Sequence, residues 1–290
     1  MVSRLLIAAT LLLVAVPASA GAADDVKITP DVVYGHKFGL AMTMDVYTPE
    51  NDQNGTGVLF MVSGGWYSRW TNPESVLRLF QPMLDAGFTV FAVRHGSSPK
   101  FSIPEVVSDV RRSVRFVRKN AEKYGVDPER LGVCGMSAGG HLSLVLGTTA
   151  DTDPPEANDP LAGVSSRVQA VVAYVPPTDL RIMVWDATDS LPAYRQFPAL
   201  DLDVEEAAKY SPLLFVTPDD APTLLVVGQK DELVPVKHSQ DILAAFKENN
   251  VPAELALFEE SGHGFSPADL EEAMRRHVAW FTKYLVKQAP

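Results

Sequence analysis

Near-continuous apolar runs alternate with stretches of three- and four-residue apolar spacing along most of the 290-residue chain, and this alternation most restricts its fold. A strand that is apolar at nearly every position has to be buried on both faces, which requires a sheet covered by helices on each side. TGVLFMVSG (56–64), FTVFAVRH (88–95), RLGVCG (130–135), VQAVVAYVPP (168–177), TLLVVGQKDE (223–232) and AELALFEESGHG (253–264) read as such strands. DVVYG (31–35) and MTMDVYTP (42–49) read as an opening pair joined by a loop. Helical spacing marks 72–87, where Asn72 is the expected N-cap, Pro73 the first helical residue and Gly87 the stop. It recurs at 103–125, 138–150, 236–250 and 268–287. The sequence therefore predicts an α/β fold with a mostly parallel central sheet flanked by helices. The longer stretch at 179–221 is the one place for a small insertion over it.

The first residues have a different character. Arg4, an apolar run from Leu5 to Val16 and Ala18-Ser19-Ala20 have the layout of a cleaved export leader, so residues 1–20 are expected to be a signal peptide and 21–290 one domain. The apolar run falls short of the roughly 20 residues that cross a bilayer, and no later segment is apolar enough, so stable membrane insertion is not expected. The expected location is secreted or periplasmic. A formal charge of −11 argues against nucleic acid and anionic membrane surfaces as partners. The single cysteine, Cys134, permits no intramolecular disulfide and reads as a small core residue. No His/Cys cluster has metal-ligand spacing, and no cofactor is expected. The sequence carries no signal for an oligomeric state.

Gly135-Met136-Ser137-Ala138-Gly139 fits G-x-S-x-G with a strand before it and a helix after it, the setting in which a serine is lifted onto a sharp turn as a nucleophile. The glycines allow strand and helix to approach closely. A serine hydroxyl near neutral pH needs a base, and the base needs an orienting carboxylate. Asp231 follows one predicted strand and His263 follows the next, in the chain order Ser, Asp, His. Glu232 is the reserve orienter. His36, His95, His141, His238 and His277 lie near the start, before the nucleophile or inside helices. Gly64 and Gly65, after the strand that precedes the first long helix, and Ala138, after the nucleophile, are the candidate oxyanion donors.

With SGGW (63–66), 107–143, GQKDELVPVKHSQDI (228–242) and SGHGF (261–265) in place, the chain resembles α/β-hydrolase-fold carboxylesterases, near hormone-sensitive-lipase-like and secreted feruloyl or acetyl-xylan esterase-like members. The resemblance covers most of 21–290. It implies a serine esterase acting on small-molecule or carbohydrate esters, and gives Asp109 a structural role in holding its helix. It also implies an oxyanion loop of the form His-Gly-Gly-Gly-aromatic, in which Val62 and Ser63 here replace the His and the first Gly. Trp66, Tyr67, Trp185 and Phe265, with Trp70, Tyr194 and Phe197 nearby, are candidates to line an acyl pocket or stack on sugar rings. Core packing is the alternative for each. A prolyl-oligopeptidase-like serine peptidase and a non-catalytic binding module on the same scaffold remain the competing readings.

Overall fold

The computed structural model describes residues 25–149, 151 and 158–287, so the leader expected at 1–20 lies outside the described residues. The strands β1 (Val26–Lys37), β2 (Leu40–Pro49), β3 (Gly57–Met61), β4 (Thr89–Val93), β5 (Leu131–Met136), β6 (Ala170–Tyr174), β7 (Thr223–Gly228) and β8 (Ala253–Phe258) form one sheet in the order β1-β2-β4-β3-β5-β6-β7-β8. β1 and β2 pair antiparallel, as do β2 and β4; every other neighbour is parallel. The fold is that of an α/β-hydrolase.

Alternate residues of the central strands feed two cores. Leu59, Met61, Phe91, Val93, Val133 and Val171 face the helices α2 (Ile103–Lys119), α3 (Ala138–Thr148) and α5 (Lys237–Glu248). Val58, Val90, Cys134, Val172 and Val226 face α1 (Pro73–Asp85) and α6 (Pro267–Leu285). Burying both faces explains the unbroken apolar runs. The same burial pushes the Cys134 thiol well above its usual range, which makes it a packing residue.

Local signals set most boundaries. The Asn72 side chain accepts a hydrogen bond from the Glu74 N–H at 3.1 Å, Pro73 opens α1, and Gly87 leaves it at φ +82°. Two boundaries differ from the sequence reading. The helix expected to run to Gly125 stops at Lys119, where the Asn120 side chain turns back to the Phe116 carbonyl (2.8 Å), and a 3-10 turn at Ala121–Tyr124 leads to Gly125 at φ +66°. β1 begins at Val26, well before DVVYG, because a register shift between Thr29 and Val32 interrupts the alternation by which a strand is recognised.

The β6–β7 connection holds 3-10 turns at Leu180–Ile182, Pro192–Gln196, Pro198–Leu200 and Pro212–Phe215, and the short helix α4 (Val204–Lys209). Leu180, Met183, Val184, Tyr194, Leu200 and Ala207 are buried in the same core as α2 and α3, so this connection is packed onto the body of the fold. Among the described residues no helix is long and apolar enough to cross a membrane.

Candidate active site

Ser137 stands between the last residue of β5 and the first of α3 with φ +56° and ψ −120°, a conformation side chains rarely adopt. Its surroundings hold it there. The Ser137 N–H donates to the Tyr174 carbonyl at 2.8 Å, and its carbonyl accepts from the His141 N–H at 2.9 Å. A Cβ on Gly135 would come within 2.5 Å of the Gly139 backbone, and one on Gly139 within 2.6 Å of the Met61 carbonyl oxygen. These two positions require glycine because strand, helix and the end of β3 meet there.

β7 and β8 deliver the other two residues from their C-terminal ends. Asp231 is buried, and its Oδ1 accepts from the backbone N–H groups of Leu233 (2.9 Å) and Val234 (2.8 Å). That fixes the carboxylate and leaves Oδ2 for His263 Nδ1, 2.8 Å away. On the far side of the ring, His263 Nε2 lies 3.0 Å from Ser137 Oγ. A carboxylate only accepts, so Nδ1 carries the proton and Nε2 is bare toward the hydroxyl. Glu232, the reserve orienter, is exposed and makes no bond to His263 among the described residues. The loop that bears His263 sits tightly on β7, since a Cβ on Gly228 would meet the Gly262 carbonyl oxygen at 2.2 Å.

The oxyanion loop corrects one of the three expected donors. Gly64 and Tyr67 exchange backbone hydrogen bonds, N–H to carbonyl, at 3.0 and 2.9 Å, closing a two-residue turn over Gly65 and Trp66 at φ +56° and +59°. Positive φ at both central positions makes it a type I′ turn. The Gly64 N–H is thus already used. The N–H groups of Gly65 and Ala138 have no hydrogen-bond partner among the described residues and remain as donors. Ala138 is also the first residue of α3, where the helix dipole favours negative charge.

The aromatic candidates divide. Trp66 is 2% exposed and its indole N–H donates to His141 Nδ1 at 3.2 Å, so it anchors the loop and does not meet substrate. Phe265 packs edge-on against Tyr174 and Phe258, centroids 6.1 and 5.5 Å away, and fastens the His263 loop to the sheet. Trp185 spends its N–H on the Tyr194 carbonyl (3.1 Å) and is covered by the Arg195 guanidinium, 5.6 Å from its ring centroid. Tyr67 remains partly exposed beside the loop, and Trp70 is 63% exposed. Asp109 holds more than its helix: it accepts from the Gly96 N–H (2.9 Å) and pairs with Lys37 (2.7 Å), tying α2 to the loop after β4 and to β1.

Two contacts escaped the sequence reading. A Cβ on Gly65 would meet the Phe197 ring at 2.6 Å, and burial pushes the Tyr194 hydroxyl up to about 12, with the Asp231 charge adding to it. The β6–β7 connection therefore reaches the oxyanion loop, and its Tyr194 lies within the field of the Asp231 charge. The second is His141, fully buried one helical turn after Ser137, with Nε2 2.7 Å from the Tyr210 carbonyl oxygen. Its spacing from Ser137 was the available signal. Among the described residues no group of three or more His, Cys, Asp or Glu could hold a metal.

A family model described as BD-FAE matches residues 44–246. The probable carboxylic ester hydrolase LipM of Mycobacterium tuberculosis is 28% identical over 217 residues, covering 72% of this chain and 49% of LipM. The chain thus spans about half the length of that relative. Among solved structures, a truncated form of a carbohydrate esterase from gut microbiota superposes with a TM-score of 0.76 at 24% identity, covering 92% of this chain and 99% of the other. An acetyl ester-xyloside bifunctional hydrolase from Caldicellulosiruptor lactoaceticus superposes at 0.73 and 23% identity, covering 87% and 95%. At these identities the two structures bear on fold.

Proposed function

The chain belongs to the BD-FAE family, and we propose that it is a serine carboxylic-ester hydrolase that works through an acyl-enzyme. The observation that carries this reading is the His263 ring held between Asp231 Oδ2 at 2.8 Å and Ser137 Oγ at 3.0 Å. In this mechanism Nε2 takes the hydroxyl proton as Oγ attacks the ester carbonyl. The negative oxygen is stabilised by the Gly65 and Ala138 N–H groups, and Asp231 stabilises the imidazolium that forms. The imidazolium then protonates the leaving alcohol. Water enters by the reverse of the same steps and releases the acid.

The substrate reading is a short acyl group, carried on a small alcohol or a carbohydrate. It is supported by the Phe197 ring packed against Gly65, which narrows the space beside the oxyanion donors, and by the mixed composition of the 179–221 stretch, which includes Arg181, Asp186, Asp189, Asp201, Asp203 and Glu205. The solved structures of similar fold described as a carbohydrate esterase and an acetyl ester-xyloside hydrolase point the same way. We also infer export, with a mature N-terminus after Ala20, to be read by mass spectrometry of the processed protein.

The test is turnover of p-nitrophenyl esters from acetate to long chains, beside acetylated xylan and a feruloylated sugar. Short esters are expected to be cleaved, and Ser137→Ala to lose about 10⁴- to 10⁶-fold in kcat with an unchanged circular dichroism spectrum. Near-normal turnover in that variant overturns the assignment, and cleavage of peptides without any ester favours the peptidase.

A further inference from the structure

We infer that His141 is a positioning residue for the oxyanion hole, fixing the turn that carries the Gly65 N–H to the helix that carries the Ala138 N–H. The inference rests on the esterase reading above. Trp66 occupies the left-handed region at φ +59°, where a bulky side chain is disfavoured, so something outside the turn has to hold it. Val62, at the head of the loop, has an apolar side chain packed among residues of the α1 and α6 core and cannot brace it by hydrogen bonding.

The brace comes from α3. His141 Nε2 faces the Tyr210 carbonyl oxygen at 2.7 Å, and a carbonyl only accepts, so Nε2 bears the proton. Nδ1 is then bare, and it accepts the Trp66 indole N–H at 3.2 Å. The two rings also meet edge to face, 5.4 Å between centroids. The ring is thus satisfied on both sides in one tautomer only, with a partner on each of two separate segments. Burial agrees with that state by lowering the imidazole to about 4, which keeps it neutral near pH 7.

His141 and Ala138 share the first turn of α3, and the His141 backbone N–H bonds the Ser137 carbonyl at 2.9 Å. Trp66 directly follows Gly65, and its own carbonyl accepts from the Ser98 N–H at 3.0 Å. Beside the backbone tie to Ser98, the Trp66–His141 hydrogen bond is therefore the side-chain link that joins the Gly65 donor to Ala138 and to the nucleophile. Losing it frees the left-handed turn to relax. A developing oxyanion then meets one donor well and the other poorly, which weakens transition-state stabilisation without altering the ground-state pocket.

Two amide variants separate the two ends of the ring. His141→Asn places an acceptor near the Nδ1 position, and His141→Gln places a donor near the Nε2 position. Trp66→Phe removes the indole donor while keeping an aromatic ring at the buried position. With p-nitrophenyl acetate, His141→Gln and Trp66→Phe are expected to lower kcat by about 10-fold or more, with KM within about 2-fold of wild type, a part of the roughly 10²- to 10³-fold that loss of an oxyanion donor costs. His141→Asn is expected to recover most of the turnover. The Gln/Phe double variant is expected to be no worse than either single one, since both break the same bond. Amide exchange at 64–67, followed by mass spectrometry, is expected to speed up in the Gln and Phe variants and to stay slow in the Asn variant. Equal kcat in the Gln and Asn variants, multiplicative losses in the double variant, or unchanged exchange in Trp66→Phe each overturn the assignment. Trp66→Phe carries the test by itself if the His141 variants fail to fold. A wild type inactive on every ester sinks the esterase reading instead, and amide exchange still decides whether His141 holds the loop.

Discussion

Lowering the pH from 7 to 5 is expected to destabilise this fold far more than its carboxylates would suggest. His95, His141 and His238 are buried and held down to about 4, and His277 to about 3, in each case chiefly by desolvation. A group whose native pKa lies below its unfolded value of 6.5 contributes stability that is present above 6.5 and lost as the pH falls toward the native value, because the unfolded chain takes up protons first. For a shift from 6.5 to about 4, the loss between pH 7 and pH 5 comes to about 2 kcal/mol per histidine. Four such groups give an upper figure of about 7 kcal/mol, against a typical total of about 5 to 15. In the unfolded chain carboxylates stay largely ionised above pH 5, and the two that burial raises in the folded chain, Asp109 and Asp220, act in the opposite direction and offset part of the loss. Those held below their usual range, such as Asp151, Asp159 and Asp179, withdraw their share only at lower pH. Urea unfolding followed by tryptophan fluorescence at the two pH values measures the effect. With a slope near 3 kcal/mol per molar, the midpoint is expected to fall by about 2 M. His141→Asn removes one titrating group and is expected to shrink the pH dependence by about a quarter. A midpoint equal or higher at pH 5 would refute the reasoning.

Asp231→Asn is expected to cost about 10⁴-fold in kcat, because the amide cannot hold His263 in the tautomer that leaves Nε2 bare, while Glu232→Gln changes little; steady-state kinetics on one short ester decides, and the reverse order moves the role to Glu232. Gly65→Ala puts a Cβ 2.6 Å from the Phe197 ring at a residue with φ +56°, and is expected to lower kcat sharply, with partial recovery when Phe197→Leu is added. Along the p-nitrophenyl series, each methylene that no longer fits beside Phe197 is expected to cost roughly 1 to 3 kcal/mol in kcat/KM, and a preference for long chains would refute the small-pocket reading.

The part of this fold that could be read from the residues is the part where local chemistry and burial agree. Strands buried on both faces write unbroken apolar runs, and caps such as Asn72 and stops such as Gly87 mark the helix ends between them. Ser137, Asp231 and His263 were legible for a related reason: each stands at the C-terminal end of a predicted strand, so their meeting follows from the order of strands alone. β1 was harder, because its register shifts break the period of two. The aromatic residues were harder still. A sequence shows that Trp66 and Phe265 lie beside reactive residues, but their side chains turn toward His141 and toward Tyr174, and that direction depends on backbone angles and distant partners.

The same distinction explains the oxyanion loop. A glycine pair announces that bare N–H groups are available, yet which of them stays available depends on the turn they form. Once Gly65 and Trp66 take the two left-handed positions, the hydrogen bonds between Gly64 and Tyr67 close the turn and use the Gly64 N–H. Gly65 is left with a free donor because it lies inside the turn. The turn in turn needs Trp66 held in a conformation its side chain resists; the Ser98 N–H holds its carbonyl, and a histidine 75 positions away in the chain holds its indole. A histidine inside a helix is thereby coupled, through the Trp66 indole, to the free Gly65 N–H of a loop far from it in the chain.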